Sequence, residues 1–386
     1  MPKKIIANLT LLAATIIAFI VFLEIALRLF YPQNLNPEFL PTTNLGTFSE
    51  YDQILGWKLK PGAEGYLFSG EFKTYVKNNA QGMRMSRNIT QQKSKYRIAV
   101  LGDSMIWGFG VEESDRVSEN LERQLKNAEV LNFGVSGYGT DQEYLQLNKT
   151  VLKFQPDMVI IAFYANDLED AGNSIRYDYP KPLFKLKNNT LELTNVPVPK
   201  RENWEDRTYP ISTKINLYLS HKSHAFVFFK PLFREINSIL SPRKRVLPEP
   251  DTVAIIKKNY SEDYQRYEKL NDKLYCEISN VLRQRNTTFV VFNIPAKGHI
   301  FPKLLRNGLD KYHINEDDID INKTSKMLYN LSQNCGFYFI DFYPYFRNYK
   351  EKEKLYFKID AHWSKEGHKY ASEILFKKLK EYGLVK

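Results

Sequence analysis

Short apolar runs, each closed by a turn or polar residue, recur along the chain and alternate with segments of helical periodicity. Ile98 to Leu101 ends at Gly102, Val130-Leu131-Asn132-Phe133 ends at Gly134, and Met158 to Phe163 is apolar throughout. Thr288 to Ile294 and Phe337 to Ile340 repeat the pattern later. Runs of this length suit strands buried on both faces. Between them the spacing predicts helices over about Val117–Asn127, Asp141–Phe154, Tyr260–Arg285, Lys323–Asn334 and Ser364–Tyr382. Strands alternating with helices predict an α/β protein, a parallel sheet with helices on both faces, opening at Tyr96-Arg97 and running to the C-terminus.

Three stretches break the alternation. Behind Lys3 and Lys4, Ile5 to Leu23 carries no charged residue, and its length approaches the ~20 residues that cross a bilayer. With no small-x-small cleavage site between Phe22 and Phe30, it reads as an uncleaved signal anchor over residues 1–27 rather than a signal peptide. The lysines then stay cytoplasmic, which predicts a single-pass cell-membrane protein with its main domain outside. Residues 28–95 are polar and hold Pro32, Pro37, Pro41 and Pro61; they read as a stalk and a strand-and-turn lead-in. Residues from about 172 to 251 hold nine of the 18 prolines and read as an insertion in the domain 96–386. Within it, apolar Ala225 to Phe229 predicts a core helix of the insertion, or else a segment dipping into the membrane surface.

Charge and cysteine content narrow the picture. Much of the net +11 falls between Arg176 and Lys258, where 16 Lys/Arg face 8 Asp/Glu. Such a surface attracts anionic lipid or acidic glycan, or is simply solvated; an extracytoplasmic address argues against nucleic acid. Cys276 and Cys335 are the only cysteines, too few for a metal cluster or a disulfide framework. They are expected as buried free thiols, although the address would permit a bridge. His221, His224, His299 and His313 show no metal-ligand spacing, and no cofactor is expected.

Four blocks carry chemistry: Gly102-Asp103-Ser104, Asn132-Phe133-Gly134, Asn166-Asp167 and Asp360-Ala361-His362. The first three follow successive strands, so they gather at the carboxyl edge of the sheet, where open α/β sheets build their sites. A serine hydroxyl becomes a nucleophile when a neighbouring base takes its proton. His362 supplies the base, and Asp360 can orient it and stabilise the imidazolium. The amides of Ser104 and Gly134 and the side chain of Asn166 are candidate oxyanion donors. Taken singly, Asp103-Ser104 also fits a helix N-cap, Asn132 and Asn166 fit turns, and His362 with Trp363 fits a packed pair; the ordered set of four favours catalysis.

This ordered set resembles the SGNH (GDSL-like) hydrolase superfamily, with Ser104, Gly134, Asn166 and His362 in the roles its name spells out and Asp360 as the partner acid. The resemblance spans Tyr96 to the C-terminus and implies a flavodoxin-like three-layer sandwich. Two departures stand out. The family's acid often precedes its His by three positions and Asp360 by two, so Asp341 is an alternative partner. Asp-x-His spacing resembles the polysaccharide acetyltransferase branch. Tyr164 stands where the family often has glycine, two residues before the Asn, and is expected to narrow an acyl pocket.

The implied function is a membrane-anchored serine esterase acting on acyl esters, O-acetyl above all, of cell-envelope glycans, with envelope-assembly proteins in reach as partners. O-acetyl transfer to an exported polysaccharide shares the acyl-Ser104 intermediate. A thioesterase or lysophospholipase fits less well, and a non-catalytic glycan- or lipid-binding module would leave the catalytic set unexplained.

Overall fold

Alternate residues of each central strand face opposite layers, and both sets are apolar. The computed structural model describes residues 2–33, 35, 45–69, 71–202, 211–230, 232 and 249–386. Its main sheet contains β1 (Tyr96–Leu101), β2 (Ala128–Asn132), β3 (Met158–Phe163), β4 (Thr288–Asn293) and β5 (Tyr338–Ile340). All strand pairs are parallel, in the order β5-β4-β3-β1-β2. Read from β2, this is the 2-1-3-4-5 order of flavodoxin-like folds. Val159, Ile161 and Phe163 of β3 join Ala99, Leu101, Phe289 and Val291 in one buried layer; Met158, Ile160 and Ala162 join Ile98, Val100, Val290 and Phe292 in the other. The fold is thus a three-layer α/β sandwich.

Besides Ile211–Lys222 and several shorter helical segments, the helices among the described residues are α1 (Pro2–Phe30), α2 (Val117–Gln124), α3 (Thr140–Lys149), α4 (Glu262–Arg283), α5 (Pro302–Tyr312), α6 (Lys323–Cys335) and α7 (Lys365–Glu381). Leu147 of α3, Tyr275, Ile278 and Leu282 of α4, and Leu328 and Leu331 of α6 cover one face of the sheet. Val117 and Leu121 of α2 and Ala371, Ile374, Leu375 and Leu379 of α7 cover the other. α3 is shorter than its periodicity predicts. It breaks at Thr150 into a 3₁₀ turn, Val151–Phe154, which ends at Gln155 in the left-handed region (φ 49°) just before Pro156.

The expectation of free thiols is corrected. Cys276 of α4 and Cys335 of α6 form a disulfide with Cα atoms 4.8 Å apart, within the usual span for such a bond. Both helices pack on the same face of the sheet, which brings the two cysteines together across 59 residues of sequence.

The chain divides into two compact units. The larger comprises 43–67, 71–206 and 249–386. In it lie strands of the expected lead-in: Ser49–Asp52 pairs antiparallel with Gly56–Leu59, and Glu64–Phe68 shares a two-stranded sheet with Lys73–Lys77. Trp57, Leu59, Leu67 and Val76 bury against Trp107, Phe109, Val135 and Tyr138. The early part of the insertion also belongs here, since Phe184 of the hairpin Leu183–Lys187/Thr190–Thr194 packs on Leu270 and Leu274 of α4.

The smaller unit comprises 1–42, 68–70 and 207–248. Its helix Thr10–Phe30 has a mean hydropathy of 2.5, long and apolar enough to cross a membrane. Leu11, Ile17, Phe19 and Phe22 are exposed along it. Residues 224–230, where the apolar run Ala225–Phe229 lies, are helical. Glu24 caps that helix: its carboxylate accepts the amides of His224 (3.0 Å) and Ala225 (2.9 Å) and the hydroxyl of Ser223 (2.8 Å). Arg28 adds a bond to the Lys222 carbonyl (2.8 Å). Ala225 is buried, whereas Phe228 is 43% exposed.

Candidate active site

β1 ends at Leu101, and the chain turns at Gly102 into a single helical turn, Ser104–Trp107. Asp103 caps this turn by accepting the Met105 amide at 2.8 Å. The N-cap reading of Asp103 is therefore correct, and it leaves the next residue free to act. Ser104 is the first residue of the turn, so its amide has no carbonyl four residues back to bond. Arg84, fully buried, donates to the carbonyls of Trp107 (2.9 Å), Gly108 (2.5 Å) and Val111 (2.7 Å), fixing the turn's exit. Burial pulls this guanidinium down to about 9.

His362 lies in the loop between Tyr356 and Trp363, which pair as an isolated bridge. Trp363 is wholly buried in the α7-side layer. Ser364 begins α7 by accepting the amides of Glu366 (3.2 Å) and Gly367 (3.3 Å). Anchored on both sides, His362 approaches Ser104: Nε2 is 2.7 Å from the Ser104 Oγ. Nδ1 is 2.6 Å from Asp360 Oδ1, and the same oxygen accepts the His362 backbone amide at 2.8 Å. With Nδ1–H donated to Asp360, Nε2 is the acceptor and the serine hydroxyl donates. The two-residue spacing lets one carboxylate oxygen hold both the ring and the backbone of His362. Burial would raise Asp360, but the hydrogen bonds and charge of His362, helped by Lys297, hold it below the usual carboxylate range. Phe109 lies against the imidazole, with centroids 4.5 Å apart at 31°.

Asp341, the alternative partner, is committed elsewhere. Its Oδ1 accepts Asn293 Nδ2 (2.8 Å) and the Tyr343 amide (3.0 Å).

Gly134 follows β2. Its amide donates to Asn132 Oδ1 at 3.0 Å, while Asn132 Nδ2 reaches the Ile106 carbonyl and Ser118 Oγ, both at 2.7 Å. Asn132 thus ties the Gly134 loop to the Ser104 turn, and the Gly134 amide must be shared with or released from Asn132 to serve an oxyanion. A Cβ at Gly134 would stand 2.3 Å from the Trp107 amide nitrogen and 2.6 Å from the Ile106 carbonyl carbon. Only glycine fits there. Gly134→Ala should therefore cost about 1–3 kcal/mol of stability, as overpacked sites do, and lower any turnover with it; urea unfolding and an ester assay on the same sample read both.

Asn166 follows β3 and is buried. Its Nδ2 donates one hydrogen to Asp170 Oδ2 at 2.6 Å. An amide nitrogen carries two hydrogens, and the Asp103 carboxylate also draws on this one, so Nδ2, like the Gly134 amide, must be shared or released to serve a substrate oxygen. Behind it lies a set of buried acids, Asp103, Asp141, Glu143, Asp167 and Asp170, met by Lys181 on Asp141 (2.5 Å) and Arg176 on Asp170 (2.9 Å). Burial drives Asp170 up to about 7, against the pull of Arg176 and Lys181. A carboxyl whose folded pKa is raised holds its proton more tightly than the unfolded chain does. Its contribution to stability is then full below the unfolded value and falls as pH rises toward the folded one. Asp170→Asn should flatten the decline in unfolding free energy between pH about 4 and about 7, read as the difference between wild-type and variant urea midpoints across that range.

Two further histidines, His368 and His299, take structural roles. Buried His368 accepts the Val117 amide at 3.3 Å, and burial lowers it to about 3. His299, lowered by burial to about 4, pairs with the Tyr343 hydroxyl at 2.7 Å and with the Thr252 carbonyl. Among the described residues no group of three His, Cys, Asp or Glu is placed to hold a metal ion.

Sequence reasoning passed over Arg84, Phe109, Glu71 and Lys297. The last two bind the backbone around Asp360: Glu71 accepts the amides of Ile359 and Asp360, and Lys297 donates to carbonyls of the same loop.

Residues 100–370 match the profile of the GDSL-like Lipase/Acylhydrolase family. The chain belongs to that family. Similar solved structures include a lipase/acylhydrolase from Enterococcus faecalis (14% identity over 75% of this chain and 97% of that one, TM-score 0.37). Others are a GDSL-like lipase from Bacteroides thetaiotaomicron (10%, 76% and 93%, TM-score 0.38) and the esterase EstA from Pseudoalteromonas sp. (10%, 74% and 98%, TM-score 0.38). No curated protein matches the sequence. Family membership makes the chain a hydrolase of esterase type.

Proposed function

We propose that this GDSL-family protein is a membrane-anchored serine esterase that removes acyl groups, acetyl above all, from cell-envelope glycans through an acyl-Ser104 intermediate. The observation that carries the chemistry is the continuous relay from Ser104 Oγ to His362 Nε2 (2.7 Å) and from His362 Nδ1 to Asp360 Oδ1 (2.6 Å). His362 takes the hydroxyl proton as Ser104 attacks the acyl carbon, and Asp360, kept ionised, stabilises the imidazolium. The Ser104 amide, the Asn166 Nδ2 and the Gly134 amide stabilise the tetrahedral oxyanion. As the acyl C–O bond breaks, His362 gives its proton to the leaving sugar oxygen, and water then releases the acyl group from Ser104 with His362 again taking and returning a proton.

The envelope substrate follows from the address. The apolar helix Thr10–Phe30 behind Lys3 and Lys4 supports a single span with the catalytic domain outside. Protease added to spheroplasts should digest the domain while Met1 or Pro2 is retained; a mature N-terminus beyond Leu23, or a shielded domain, overturns the topology.

Transfer of an acetyl group to a polysaccharide hydroxyl is the second reading, favoured by the Asp-x-His spacing of Asp360 and His362. Mass spectrometry of the host's envelope glycans with and without the gene separates the two. Loss of an esterase raises O-acetylation, loss of a transferase lowers it, and unchanged glycans contradict the substrate assignment.

A further inference from the structure

The loop 357–362 carries both the base and its acid, and its backbone is tied down at most of its polar atoms. The Phe357 amide donates to the His362 carbonyl at 3.1 Å. From one side the Glu71 carboxylate accepts the consecutive amides of Ile359 (2.8 Å) and Asp360 (2.7 Å). From another, the Lys297 ammonium donates to the carbonyls of Phe357 (2.7 Å), Lys358 (2.8 Å) and Asp360 (3.2 Å), using all three of its hydrogens. Ile359 is 78% exposed, so apolar packing does little to hold the tip of this loop.

We propose that Glu71 and Lys297 are positioning residues: an oppositely charged pair that clamps the Asp360–His362 loop and thereby holds the imidazole within reach of Ser104. The inference rests on the serine-esterase reading for its catalytic consequence and on the loop geometry for the clamp itself. Bonds with one ionised partner are roughly twice as strong as neutral ones, and here a carboxylate gathers N–H groups while an ammonium gathers carbonyls of the same short segment. Asp360 is held at both its amide and its carbonyl, which leaves its side chain to take the ring and amide of His362. Glu71 comes from the lead-in, ahead of the 100–370 segment shared with the family. The lead-in also supplies Arg84 to the exit of the nucleophile turn, so the same segment steadies the serine end of the relay and the histidine end. Displacements of about 1 Å in such a relay cost up to about 10²-fold in rate, which sets the size of effect to seek.

The test uses the full chain purified in detergent, p-nitrophenyl acetate as probe ester, and hydrogen exchange of the segment 357–363. Glu71→Ala and Lys297→Met should each lower kcat by about 10–100-fold with KM within about twofold. Glu71→Gln, which keeps one acceptor oxygen, should fall between, and Lys297→Arg should recover most of the rate. In Glu71→Ala the amides of Ile359 and Asp360 should exchange at least about tenfold faster while those of β1 and β3 stay protected, which separates loop release from unfolding. Wild-type kcat in both variants, or unchanged exchange at 359 and 360, overturns the clamp and leaves the esterase reading standing. A wild type that hydrolyses no ester removes the catalytic consequence, and the exchange data still decide whether the clamp exists.

Discussion

Ser104→Ala is expected to lower ester turnover by on the order of 10⁶-fold, the scale seen when a nucleophile is removed from a triad that works as a unit. The loss has a specific cause. The Ser104 Oγ is the atom 2.7 Å from His362 Nε2, and among the described residues no other hydroxyl bonds that ring. Stability should barely change. The side chain contributes one hydrogen bond, the turn is capped by Asp103 rather than by Ser104, and Ala is tolerated at the start of a helical turn. Turnover retained in a purified variant with an unchanged melting temperature would remove Ser104 from the mechanism.

His362→Ala should match that loss, and Asp360→Asn should cost less, on the order of 10⁴-fold. The imidazole is the sole base in the relay, so nothing replaces it. Asp360 acts through the imidazole, and Asn keeps an oxygen for the backbone amide it now holds at 2.8 Å while losing the charge that favours the imidazolium. Asp341→Asn should leave turnover near wild type, because Asp341 spends its Oδ1 on Asn293 and Tyr343. Steady-state kinetics of the three variants order the roles; an Asp341→Asn loss equal to that of Asp360→Asn would reopen the choice of acid.

The central sheet was legible because its strands are buried on both faces, so Met158 to Phe163 must be apolar at every position. Helices with a broad apolar face, such as α4 and α7, were legible for the same reason. α5 was missed although Leu305, Leu309 and Tyr312 recur at helical spacing; Gly308 interrupts it, and Leu309 is its only fully buried residue. The turn Tyr343–Asn348 is too short to show a period. Ser104, Gly134, Asn166 and His362 were visible because each sits in a short local motif beside a strand end or helix start. Their supports were not. Arg84, Glu71 and Lys297 bond to backbone atoms, which every residue carries, so no partner residue type exists to search for. The disulfide stayed hidden for a related reason: only the packing of α4 beside α6 brings Cys276 to Cys335.

The most direct test of the account is covalent labelling of the full-length protein with a fluorophosphonate, followed by digestion and peptide mass spectrometry. An ionisable serine beside a base is the group such a reagent captures. The account predicts a single phosphonylated residue, Ser104, with labelling lost in Ser104→Ala and strongly slowed in His362→Ala. A protein that remains unlabelled, or one labelled at another serine with Ser104 untouched, would contradict it.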